Sequence, residues 1–372
     1  MGDGAKAVPL PLKGFRRRDP VSENDRNGYE GEGETLTGRD SIQGARSRPI
    51  IIVFCFFILP FSLLGQAWLF PKGEGTVTLS YQNILVQDHI DYKGQPWSLF
   101  GDINSQSITV DTDYSLTNKL AVRIALPYVF GKYDGLAQYA HSFPADDGKY
   151  HSTFQNFTAD LRYNVSQRPV VLTPFVRLVV PSHDYQYFAH AAVGRDVREY
   201  HVGINVGRRL DPILPKAFIQ VQYSYAFVER ILNISPNRSN VEAQLGYFLT
   251  PRLSLLASTQ YYYTYNGIED HFEIPPPGGL TEEQFLHHDQ IGKASLLDVT
   301  GGVSFALNRK MEMFASFGRS LFGTNGHLHA SVVTIGVSRT FSTAHKEEGA
   351  SLGRGGMPPP NQAIVCTCAR GN

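Results

Sequence analysis

After residue 75 the chain alternates between strand-like runs joined tightly and strand-like runs joined loosely, and few folds accommodate that asymmetry. Three of the tight joints share one pattern: Tyr114-Ser-Leu-Thr-Asn-Lys119-Leu120, Tyr247-Phe-Leu-Thr-Pro-Arg252-Leu253 and Phe305-Ala-Leu-Asn-Arg-Lys310-Met311. A fourth, Tyr163-Asn-Val-Ser-Gln-Arg168-Pro169, is a looser version. Each sets an aromatic residue before a polar turn, then a cation, then a new run of alternating polarity. Short turns at one end of every hairpin and long loops at the other are the signature of a transmembrane β-barrel.

Reading the chain by period two places twelve strands, at roughly residues 75–83, 105–114, 119–130, 153–163, 170–180, 197–207, 216–227, 239–248, 253–263, 295–307, 310–321 and 329–341. The long connections then cover about 84–104, 131–152, 181–196, 228–238, 264–294 and 322–328. Ten residues at roughly 3.3 Å each, tilted by about 45°, span about 23 Å, close to the apolar band of such barrels. The even count is what a single-chain antiparallel barrel requires. The predicted fold is therefore all-β, a single antiparallel transmembrane β-barrel of about twelve strands over residues 68–341. Alternation separates the faces: in the tenth strand Leu297, Val299, Val303 and Phe305 oppose Asp298, Thr300 and Ser304. Tyr223, Tyr225, Tyr261, Tyr263 and Phe130 fall towards one rim, and Tyr114, Tyr163, Tyr247 and Phe305 towards the other, as two aromatic girdles.

Composition agrees. Charged residues are 18% and aromatics 12% of the 372, and the formal net charge is zero, so charge points to no nucleic-acid partner. The three cysteines, Cys55, Cys366 and Cys368, leave the body without a disulfide framework or thiolate metal site. The Cys-Thr-Cys spacing is not a standard zinc pattern. No nucleotide-binding loop or cofactor motif is visible, so no cofactor is expected and energy coupling within the chain is not.

Both ends depart from the barrel pattern. Residues 1–45 are polar and Gly-rich, which predicts disorder; their translation would depend on where the start codon lies. Residues 46–67 order a positive region (Arg46, Arg48), an apolar stretch (Ile50–Leu64) and Gly65-Gln66-Ala67, the layout of a signal peptide with a new start at Trp68. A membrane anchor is the competing reading of the same run. The last strand closes on Phe341, like the terminal recognition signal of bacterial outer-membrane proteins, and 342–372 reads as a disordered tail.

The inward face is predicted to carry Asp111, Asp113, Asp160, Glu242, Asp298 and Glu312 against Arg123, Arg162 and Arg177. Opposed charges of this kind either screen solutes passing a lumen or satisfy one another structurally. Loop 264–294 folds inward as a constriction or stands outward as a lid. His89, His183, His271 and His288 each adjoin an Asp, a composition that suits a divalent metal but without diagnostic spacing, so no metal site is assigned. His329-Ala-Ser331 resembles the His-x-Ser pair of outer-membrane acyl hydrolases, with both side chains expected on one face and Asn83 as the only evident third group.

The stretch from Asp88-His89-Ile-Asp91 through Gly101-Asp102-Ile103, then Ser107 to Leu120 and Ile124-Ala-Leu-Pro-Tyr128, resembles the outer-membrane transporters grouped as the "meta-pathway of phenol degradation" barrel family. The resemblance spans about 73–341 and is strongest over 88–135. It implies passage of small, often hydrophobic or aromatic compounds and carries no catalytic residues. The sequence thus leads to a passive channel or transporter for a small organic solute, not an enzyme, exported to the outer membrane of a Gram-negative-type bacterium. Its expected partners are outer-membrane lipid, the solute and the barrel-assembly machinery. A structural or adhesive barrel with a plugged lumen and a His329/Ser331 acyl hydrolase are the alternatives.

Overall fold

The computed structural model describes residues 66–135, 145–269 and 280–343. The expected extension 1–45, the apolar part of the signal segment, His271, the Pro-Gly tip of loop 264–294 and the tail from 344 lie outside the described residues.

Thirteen strands follow in order: β1 (Glu74–Ile90), β2 (Pro96–Ser115), β3 (Leu120–Gly135), β4 (His151–Phe154), β5 (Asn156–Tyr163), β6 (Val171–Pro181), β7 (Glu199–Arg209), β8 (Ala217–Val228), β9 (Arg238–Phe248), β10 (Leu253–Thr264), β11 (Ser295–Ala306), β12 (Met311–Thr324) and β13 (Gly326–Ser342). Twelve of them form a closed antiparallel ring, because β1 pairs with β13 over its full length, from Glu74↔Ser342 to Ile90↔Gly326. Closure leaves no edge strand, the condition for putting backbone N–H and C=O groups where no water can reach them. The short β4 lies outside the twelve, pairs with β3, and is separated from β5 by Gln155, whose N–H donates to Pro127 O at 3.0 Å.

The shared turn pattern has one physical cause. In the first turn Thr117 Oγ1 accepts from Lys119 N (3.1 Å) and Leu120 N (3.0 Å). In the third Asn308 Oδ1 accepts from Lys310 N (2.8 Å) and Met311 N (3.0 Å). Thr250, at the matching position of the second, accepts from Arg252 N at 3.2 Å. A short oxygen-bearing side chain two residues before the cation closes each turn on its own backbone.

Two expected long loops are absent. Residues 84–104 are mostly strand: β1 and β2 keep pairing as far as Ile90↔Pro96. Their turn is closed by Asp91 Oδ1, which accepts from Lys93 N and Gln95 N, with Gly94 at φ +80°. Residues 322–328 reduce to a turn at Asn325, whose φ of +56° an Asn side chain tolerates. Polar, turn-rich composition disguised both as loops. The two tips also join, since Asn325 N donates to Asp91 O at 2.9 Å.

The ring is inverted relative to a water-soluble protein. Leu79, Val110, Leu161, Val176, Val202, Leu245, Met313 and Ile335 are exposed on its outer face. Thr78, Thr109, Asp160, Thr173, Gln222, Ser254 and Ser304 are buried on its inner face. Large apolar side chains outside and polar ones inside are the arrangement an apolar surrounding stabilises. Tyr128–Phe130, Tyr225–Phe227 and Tyr263–Tyr265 pack edge to face at the long-loop end, and Tyr114 stacks on Phe341 at the short-turn end.

Inside, aromatic rings lie flat where the adjacent strand offers glycine. Phe218 on β8 covers Gly246 on β9, so a Cβ there would fall within the ring, which Leu256 and Phe314 hold in place. Gly246→Ala is therefore expected to cost about 1–3 kcal/mol by overpacking, read as a lowered urea midpoint of the barrel folded in lipid vesicles. An unchanged midpoint would show that the ring swings aside freely.

Candidate functional site

The nine charged residues read from the pattern all occupy inward positions, and the fold sorts them into separate groups. On the β2–β6 wall, Arg123 Nε and Nη2 donate to Asp111 Oδ2 (2.8 and 2.5 Å), and Arg123 Nη1 lies 3.7 Å from Asp160. Asp160 receives the Arg177 guanidinium as a fork, Nε to Oδ1 at 2.7 Å and Nη2 to Oδ2 at 2.8 Å. Bidentate pairs of this kind fix orientation as well as charge. Arg162, fully buried, pairs with Asp113. Glu242, on β9, lies between its cross-strand neighbours Gln222 on β8 and Gln260 on β10.

The remaining two stand on the opposite wall, where no described strand turns an arginine inward. Asp298 accepts from Ser320 Oγ at 2.7 Å and shares a hydrogen bond with His329 Nδ1 at 3.1 Å. Glu312 accepts from Ser304 Oγ. Among the described residues every inward arginine belongs to the half of the ring running from β3 to β9. The lumen therefore has an arginine-bearing wall facing a wall of carboxylates and hydroxyls. Gln222 Oε1, Gln260 Oε1, Ser254 Oγ and Asp113 Oδ1 are buried without a protein hydrogen-bond partner, and such atoms in a polar lumen are ordinarily met by water.

At the short-turn end, residues 66–70 lie inside the ring. Arg162 Nη1 donates to Gln66 O (3.2 Å), Thr173 Oγ1 donates to Ala67 O (2.6 Å), and Trp68 packs edge to face on Phe218. A Cβ on Gly207 would meet Ala67 and Trp68. The residues before β1 thus reach β5 to β8, on the far side of the barrel from β1.

At the other end two connections dock on each other. The β10–β11 loop carries α1 (Glu282–Leu286) and α2 (His288–Ile291). Thr281 and Gln284 cap α1 reciprocally, each side chain bonding the other's backbone N–H. Tyr187 stacks on His287 and Phe188 packs against Phe285 and His288, while Gln290 Nε2 donates to Arg195 O at 2.7 Å. The described part of loop 264–294 thus folds across the rim onto residues 182–198.

Of the four His/Asp neighbours, His271 lies outside the described residues, and His183 stands apart from His89 and His288. His89 lies against His327, ring centroids 4.0 Å apart and planes tilted by 39°, and His288 lines one pocket with both of them. His183 shares hydrogen bonds with Thr153 and Ser182 instead. No group of three or more His, Cys, Asp or Glu among the described residues could hold a metal ion.

The His329/Ser331 geometry is also corrected. The expected common face fails because a bulge intervenes: Leu85 pairs with Ser331 and Val86 with His329, skipping Ala330. Inward positions switch from His327 and His329 to Val332 and Thr334, leaving Ser331 on the outer parity. His329 is buried against Asp298 rather than Ser331, and Asn83 bonds with Asn104. A bulge flips every later side chain.

Four inward residues escaped the sequence reading. Glu199 and His201 sit at alternating positions of a correctly placed strand, so parity alone would have found them. Arg238 lies one residue before the expected start of its strand. Arg195 lies on a loop, where periodicity carries no information. Glu199 Oε1 accepts from Arg195 Nη2 (2.5 Å) and from Arg238, and its Oε2 meets His201 Nε2 (3.0 Å). His201 is also the cross-strand neighbour of Arg177, which links this cluster to the first one.

No family model matches this chain, and no curated protein matches it. Among solved structures it is similar to an outer membrane channel from Pseudomonas putida F1, with a TM-score of 0.56 and 15% identity over 75% of this chain and 99% of that one. The NanC porin (6% identity, 71% of this chain, 98% of that one) and the KdgM porin in complex with disordered oligogalacturonate (7% identity, 71% and 99%) follow. At its identity the first likeness extends to the fold; the porins, with TM-scores of 0.41 and 0.38, add nothing to it.

Proposed function

We propose that this chain is a narrow outer-membrane channel of a Gram-negative-type bacterium, passing a small organic solute down its gradient. The observation that carries the reading is the inversion of the barrel: an apolar outer belt around a lumen lined by hydroxyls, amides and charges. The fold shared with an outer membrane channel supports it, as does the family resemblance over residues 88–135. In this proposal 46–67 directs export, the short turns face the periplasm, and the docked loops face outward. Asp111, Arg123, Asp160 and Arg177 on one wall, with Asp298 and Glu312 opposite, supply the transverse field that selects among polar solutes.

A second reading, a plugged structural barrel, is favoured by one observation, the packing of Trp68 on Phe218 across the short-turn end. Single-channel conductance in a planar bilayer separates the two. The channel reading expects steady conductance that rises when Trp68→Ala removes the wedge. It also expects Asp111→Asn, which removes a half-buried lumen carboxylate, to shift the reversal potential in a salt gradient towards anions. Silence from both the folded wild type and the Trp68 variant would establish the plugged barrel.

A further inference from the structure

The cluster around Glu199 is short of acceptors. Each guanidinium brings five N–H donors, yet among the described residues Arg195 and Arg238 each place one, an Nη2, on a protein acceptor, and both choose the same oxygen. Arg238 Nε is buried with no hydrogen-bond partner. Two cations sharing one carboxylate leave that corner of the molecule with more positive charge than its immediate partner offsets.

Both side chains line a small pocket at the long-loop end, partly open to solvent. Its other walls are largely aromatic: Tyr262, over which the Arg238 guanidinium sits at 5.8 Å from the ring centroid, and the adjoining imidazoles of His89 and His327, tilted by 39° to each other. Asp289 is the one carboxylate on the lining among the described residues, and it is turned to His288 at 3.4 Å. From this geometry we infer that the pocket is a binding site for a small carboxylate with a planar body, its charged group on Arg195 and Arg238 and its plane against Tyr262 and the imidazole pair.

The site is built in advance. Gln290 holds the Arg195 carbonyl, and the next residue, Asp196, donates its N–H to Tyr185 Oη at 3.1 Å, so the loop is fixed at Arg195 and at the residue after it. Burial, and then the like charge of Arg238, push the Arg195 guanidinium below its ordinary value, the electrostatic counterpart of the missing acceptor. An incoming carboxylate relieves that repulsion and accepts the unused donors, and a preorganised guanidinium pair loses little entropy in receiving it. The site deepens the channel reading, on which its physiological purpose rests, by assigning the solute's charge and shape.

The test is calorimetric titration of the full chain, folded in detergent micelles, with benzoate and with benzyl alcohol, its neutral counterpart. One saturable benzoate site is expected, with benzyl alcohol at least about tenfold weaker. Arg195→Gln, which leaves Arg238 paired with Glu199, should weaken benzoate about tenfold in protein that keeps its heat-modifiable gel mobility. Tyr262→Leu should weaken benzoate while leaving acetate unaffected. Equal affinity for benzyl alcohol, no saturable benzoate binding, or an unchanged dissociation constant in folded Arg195→Gln would overturn the assignment; the first comparison needs no variant. Binding without conductance would remove the channel and keep the site, whereas conductance without benzoate binding would do the reverse.

Discussion

Replacing Asp113 by Asn should destabilise the barrel by about 3–5 kcal/mol, the usual cost of leaving one partner of a buried ion pair uncompensated. Arg162 is fully buried and pairs with Asp113, and its Nη1 also donates to the Gln66 carbonyl. An amide in place of the carboxylate keeps the shape, removes the counter-charge, and can turn an N–H towards the guanidinium. Urea unfolding of the barrel in lipid vesicles reads the loss. The double variant Asp113→Asn/Arg162→Gln should recover much of it, because the orphaned charge is then gone as well, and the double-mutant cycle isolates the coupling. A loss below about 1 kcal/mol in the single variant would mean that the lumen there screens charge like bulk water.

The second large effect lies on the opposite face. Val110→Arg should cost about 2–4 kcal/mol in lipid vesicles, the cost measured for a cation near the bilayer midplane on such barrels. Val110 is exposed, pairs with Leu79 on β1 and Leu126 on β3, and lies between the Tyr114 girdle residue and Tyr128. An outward cation at a rim is expected to be nearly neutral by comparison, since Arg339, close to the end of β13, is already exposed there. If Val110→Arg leaves the urea midpoint unmoved, that face does not lie in lipid, and the orientation of the whole belt would have to be reconsidered.

Much of this architecture is written locally. The twelve ring strands lie within a few residues of their expected places wherever a polar turn is short, because Thr117, Thr250 and Asn308 close those turns with bonds to the next two or three residues. Inward parity of Asp113, Asp160, Arg177 and Asp298 was legible for the same reason: a strand's faces alternate regardless of its partner. The errors share a cause too. The extended tips of β1 with β2 and of β12 with β13 have loop-like composition and are held by pairing with each other, as in the bond from Asn325 N to Asp91 O. The face of Ser331 escapes period two because the bulge at Ala330 exists only in the register against β1.

A closed, inverted barrel follows from local properties of the chain: period-two alternation, an even number of runs and one-sided turn lengths, with a ring without edges satisfying the backbone of such runs in an apolar surrounding. Which charges meet depends on how the strands and loops come together. Register between strands set Arg177 on Asp160 and Arg162 on Asp113, loop docking brought Arg195 beside Arg238, and the residues before β1 reached across the lumen to Thr173 and Phe218. Those contacts join positions tens to more than a hundred residues apart, and hydrogen bonds of a few ångströms are fixed by how strands slide and loops fold, which no local pattern encodes.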